Sequence, residues 1–92
     1  MVKQKDKPVN VEKDLLQSGC ELILYNDEVN SFDYVIDSLV EVCGHEIYQA
    51  EQCTFIAHYK GKCAVKSGSF HELKPKFDEL IRRGLTATID SK

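Results

Sequence analysis

The chain lacks any apolar run near the roughly 20 residues that a membrane-spanning helix needs. Its first ten residues, Met1 to Asn10, hold no apolar stretch of the kind that directs secretion. Residence in the cytoplasm is the expectation. An excess of basic charge is missing too: 12 Lys and Arg stand against 15 Asp and Glu, for a net charge of −3 and a pI near 5.5. The basic residues are scattered, so no phosphate-binding stripe forms and a nucleic-acid partner is not expected. There is no CxxC pair. The four cysteines stand at 20, 43, 53 and 63, too far apart for the close-spaced ligand pairs of structural zinc. Without a secretion signal a disulfide framework is not expected either. Cys43, Cys53 and Cys63 lie among apolar residues and read as small buried hydrophobes. Also absent are a nucleophile elbow, the phosphate-binding GxxxxGK[ST] loop and the zinc motif HExxH. Asp27 and Glu28 are adjacent carboxylates, but loop neighbours point in different directions and make a poor acid/base pair. The reading is a protein that is no enzyme and uses neither metal nor cofactor.

What is present fits one small domain. Ninety-two residues with a 42% hydrophobic share bury a modest core, which favours a surface cleft over a large internal cavity. Residues 1–18, with the charged stretch KQKDKPVNVEKD and Pro8, show no stable periodicity and read as a disordered tail. The folded domain is expected over 19–92. Glu21 to Tyr25 alternates as a strand, followed by an Asn-Asp-Glu-Val-Asn-Ser loop rich in turn and capping residues. Phe32, Val35, Ile36, Leu39, Val40 and Cys43 make one helical stripe, with Asn30 or Ser31 as cap and Gly44 as stop. A second helix is predicted over about 47–59, with Ala50, Cys53, Ile56 and Ala57 on its apolar side. Residues 63–65 read as a short strand, and Lys66-Ser67-Gly68 as a turn. Ser69 and Glu72 form a capping box for a third helix. Pro75 inside that helix should kink it or delay its start, and Gly84 should end it. Residues 85–89 alternate as a last strand. The predicted fold class is α+β: a single domain in β-α-α-β-α-β order, a three-stranded antiparallel sheet with three helices packed on one face.

The residues with chemistry to offer are Asn26, Asp27 and Glu28, which leave the first strand, and His58, near the end of the second helix. An amide, carboxylates and a neutral imidazole are acceptors. A free α-ammonium, with three donors and one charge, calls for such a cluster, because charge-assisted bonds are about twice as strong as neutral ones. The same residue types also serve as a plain turn that complements a helix dipole.

The stretch LYNDEVNSFDYVIDSLVEVCGH, followed by QAEQCTFIAHYKGKCAV, resembles the ATP-dependent Clp protease adaptor family, ClpS. The likeness runs over about 20–90 and centres on the Asn-Asp-Glu loop and on His58-Tyr59-Lys60-Gly61-Lys62. It implies an adaptor for N-degrons, proteins whose first residue is bulky and apolar. Such an adaptor delivers them to the N-terminal domain of a ClpA-type AAA+ unfoldase. By that resemblance Asn26, Asp27 and His58 hold the α-amino group, with Glu28 where relatives often carry a second Asp. Asn30, Phe32, Val35, Thr54, Ala57 and Leu85 take the side-chain pocket. Glu72 and Lys76 fall in the unfoldase-docking region. Phe32 stands where relatives often have Met, and Thr54 where some have a Met that turns away β-branched side chains. The rival reading is a ribosomal-stalk-like interaction domain of similar element order, which gives no use to the loop or to His58.

Overall fold

The computed structural model describes residues 19–92; the tail expected at 1–18 lies outside the described residues. The elements are β1 (Cys20–Tyr25), α1 (Phe32–Cys43), α2 (Ile47–Lys60), β2 (Lys62–Gly68), α3 (Phe70–Arg82) and β3 (Ala87–Ser91). The sheet order is β2-β1-β3, antiparallel throughout. The order and the α+β class are those read from the sequence. Strand β1 is apolar because it lies in the middle, with a partner on each side. Leu22 and Leu24 on β1 join Val35, Leu39, Ala50, Ala57, Leu73 and Leu80 from the three helices in one core. Leu22, Leu39, Leu73 and Leu80 are fully buried, each worth roughly 1.5–3 kcal/mol relative to exposure.

Helix α1 starts and stops where its sequence says. Ser31 Oγ accepts from Tyr34 N–H at 3.1 Å, and Gly44 caps the other end at φ 71°. Helix α2 differs from expectation at its buried face: Ile56 is exposed, and Thr54 is buried in its place. The Thr54 hydroxyl donates to Ala50 O at 2.8 Å, which removes the cost of burying it. The strand expected at 63–65 is longer. Lys66, Ser67 and Gly68 continue β2 rather than turn, pairing with Leu22, Glu21 and Cys20. Those β1 groups would otherwise lack backbone partners. Leu22 pairs with Lys66 and Ile23 with Ala64, so Val65 is an extra bulged residue. Its carbonyl meets His45 Nε2 at 2.6 Å, with the imidazole N–H donating.

Helix α3 is not delayed by Pro75. Ser69 Oγ accepts from Glu72 N–H at 3.1 Å and Glu72 Oε1 accepts from Ser69 N–H at 2.9 Å, so the capping box fixes the first turn at Phe70. A Cβ on Gly68 would sit 2.6 Å from that Glu72 oxygen, so a side chain there would push the carboxylate off its cap. The last strand begins later than expected, at Ala87. The Leu85 N–H is used in closing α3, bonding Leu80 O at 3.0 Å. At the far end of β1, Lys92 N–H donates to Gly19 O at 2.8 Å. The cysteines are free thiols, with Cys43 and Cys53 buried and Cys20 and Cys63 half-buried. Burial, then the neighbouring Cys63 and Cys43, push the Cys53 thiol up to about 12, the behaviour of a structural cysteine.

Candidate functional site

The loop after β1 and the end of α2 are joined by one backbone bond, Asn26 N–H to Gly61 O at 3.0 Å. Gly61 lies in the left-handed region at φ 96° and its N–H bonds Ala57 O, so the chain that ends α2 also receives the loop. On the other side, Tyr25 N–H donates to Thr86 O at 2.9 Å. The first bond brings the loop to the end of α2, and the second ties the end of β1 to the segment before β3.

Asp27 organises the loop. Its Oδ1 accepts from Val29 N–H at 2.9 Å and Asn30 N–H at 2.8 Å, and its Oδ2 accepts from Asn30 Nδ2 at 3.1 Å. Burial pushes the Asp27 carboxyl up. The bonds from the Asn30 backbone, the Asn30 side chain and the Val29 backbone outweigh it and hold the group below its ordinary 3.8. Asn30 Nδ2 also donates to Gly84 O at 3.0 Å. With both amide hydrogens used, the Asn30 Oδ1 is left facing no protein donor among the described residues. Asp27 Oδ2 likewise keeps acceptor capacity, since a carboxylate offers about four lone-pair sites. His58 is fixed by rings. Its centroid lies 5.1 Å from that of Phe32 and 4.9 Å from that of Tyr59, both edge-on. Its ring nitrogens make no hydrogen bond among the described residues.

These groups surround a depression of about 270 Å³, open mouth included. Its enclosed part is about 20 Å³, room for roughly one water. Asn26, Asp27 and His58 line it together with Asn30, Phe32, Val35, Thr54 and Ala57. Val35, Thr54 and Ala57 are buried and make the floor, whereas Asn26 and His58 are exposed at the rim. Leu24 and Tyr25 line it as well. Sequence reasoning missed both, although their place at the end of the strand feeding the loop was the available signal. Two expected residues are elsewhere. Glu28 is exposed and outside the lining, and Leu85 is buried in the core cluster at 3% exposure. Glu72 is committed to its cap, and Lys76 is half-buried on α3. A rim of acceptors over an apolar floor suits a ligand with a cationic or donor-rich head and a greasy side chain.

The fold and site define a small α+β domain with a surface cleft, and residues 17–88 match the family described as ATP-dependent Clp protease adaptor protein ClpS. The chain belongs to that family. No curated protein matches it. Among solved structures, ClpS2 of Agrobacterium tumefaciens bound to L-phenylalaninamide aligns with a TM-score of 0.68 at 20% identity, covering 82% of this chain and 99% of that one. That likeness shows a shared fold. No helix among the described residues is long and apolar enough to cross a membrane.

Proposed function

We propose that this protein is an N-degron adaptor of the cytoplasm: it grips the free amino terminus of proteins with a bulky apolar first residue and hands them to a ClpA-type AAA+ unfoldase. The observation that carries the reading is the convergence of Asn26, Asp27, Asn30 and His58 around the mouth of an apolar-floored depression. The α-ammonium sits among the open acceptors, and the first side chain enters over Val35, Thr54 and Ala57. The Phe32 ring, 37% exposed, forms one wall of the entry. Family membership and the phenylalaninamide on the structurally similar adaptor support the choice of ligand. Glu28 serves as outlying negative charge, and Leu85 acts through the core cluster it shares with Val35 and Ala57. Glu72 and Lys76 on α3 are the residues that family likeness points to for docking on the N-terminal domain of the unfoldase.

The test is fluorescence anisotropy with a labelled peptide beginning in Phe, free or acetylated at its amino group. Acetylation removes the charge and two donors, so affinity falls about tenfold to a hundredfold. His58→Ala weakens the free peptide about twofold to tenfold, as loss of one hydrogen bond does. Equal binding of free and acetylated peptides rejects the reading.

A further inference from the structure

Beside the depression runs a row of exposed rings. The Phe32 wall meets Phe55 edge-on, with centroids 5.2 Å apart, and Phe55 lies parallel to Tyr59 at 6.2 Å with 9° between planes. His58 closes the row from the other side against both Phe32 and Tyr59. Phe32, Phe55 and Tyr59 are 37%, 43% and 75% exposed. As an i,i+4 pair, Phe55 and Tyr59 support α2 only weakly, too little to account for leaving two large rings in water. Neither ring lines the depression, yet both are in continuous contact with residues that do.

We propose that the row Phe55–Tyr59 is a second subsite, which receives an aromatic side chain from the stretch of substrate directly after its first residue. The proposal rests on the reading of the depression as a terminus-binding site and extends it along the chain. The occupant follows from continuity and shape. A peptide whose amino group is held at the rim must leave across the mouth, and extended chain advances about 3.3 Å per residue. The second and third residues therefore fall within reach of rings spaced 5–6 Å apart. Parallel and edge-on rings present flat faces that a further ring covers with favourable offset or T-shaped geometry. Rigid aromatic contacts of this kind also cost little side-chain entropy.

The experiment compares labelled peptides beginning in Phe with a free amino group: Ala at positions two and three, Tyr at two, or Tyr at three. Each is titrated against the unaltered protein, Phe55→Ala and Tyr59→Ala. The readout is the ratio of affinities on one and the same protein, so altered stability of a variant cannot mimic the effect. Tyr59 is three-quarters exposed, so Tyr59→Ala removes nothing from the core. Tyr at one of the two positions is expected to tighten binding about twofold to tenfold, and both variants bring the ratio toward one. A ratio near one on the unaltered protein overturns the subsite while leaving the pocket standing. A ratio that survives both substitutions overturns it as well. If none of the three Phe-led peptides binds, the subsite and the terminus-binding reading fall together.

Discussion

Asp27 and Asn30 hold each other in place, and the pair is more than two independent acceptors. Asn30 gives Asp27 a backbone N–H and a side-chain N–H, and reaches Gly84 O with its remaining amide hydrogen. Two acceptors on one side orient the amide, which is what leaves its oxygen open. Removing the amide therefore acts three residues away, at Asp27. In Asn30→Ala the Asp27 carboxyl is expected to rise toward its ordinary value, because one of the bonds holding it down is gone. An NMR titration of the Asp27 carboxyl measures that shift, and no rise would mean the side-chain bond does not form. The same variant is expected to bind a Phe-led peptide several-fold more weakly, since the loop loses a tie worth about 1 kcal/mol.

Among the elements, the end of α2 carries the most consequence. Gly61 at φ 96° is compatible with the helix stop and with the bond to Asn26 at once, and nothing lies within 4 Å of where a Cβ would be. The cost of Gly61→Ala is thus conformational alone, about 1–2 kcal/mol from the left-handed backbone. A urea denaturation midpoint reads it, and an unchanged midpoint would contradict it. Much of this level was legible in advance. Gly44, Ser69 and Glu72 announced their helix ends through chemistry that is local, and Asn26, Asp27 and His58 were singled out as acceptors, although Asp27 also does the ordinary work of a turn. Other features depended on tertiary partners. Lys66 and Ser67 are polar, and only pairing with β1 makes them strand. Thr54 is buried where Ile56 was expected, and its hydroxyl is satisfied by its own helix. Leu85 looked like a strand opener but spends its N–H on α3. Phe55 and Tyr59 stand four apart on α2, a helical spacing open to sequence reading, but their exposure depends on how the helix is packed.

At the scale of the whole molecule, a line of contacts ties the end of α3 back to the site. Arg83 Nη1 donates to Glu41 on α1 at 2.8 Å and Nε to Glu79 at 3.0 Å, while Tyr34 Oη donates to Arg83 O at 2.8 Å. The next carbonyl, that of Gly84, holds Asn30. Hydrogen bonds from Arg82 and then Arg83 hold the Glu79 carboxyl at about 2, below its ordinary 4.5. A depressed carboxyl contributes stability above its unfolded value and loses it as pH falls through the folded one. The acid limb of stability between pH 4.5 and 2 is therefore expected to be shallower in Glu79→Gln than in the unaltered protein. Melting temperature against pH measures this, with a small amplitude because exposed ion pairs are worth little; superimposed limbs would rule it out. Finally, the bond between Lys92 and Gly19 has a practical meaning. Both lie at the end of β1 opposite the acceptor loop, and six strand residues at about 3.3 Å each put roughly 20 Å between the two poles. The strand end at Gly19 and Lys92 and the candidate site thus lie at opposite poles of β1. A dye or surface tether attached at Lys92 would lie away from the mouth, so a labelled form can test the proposed capture of substrate without standing in its way.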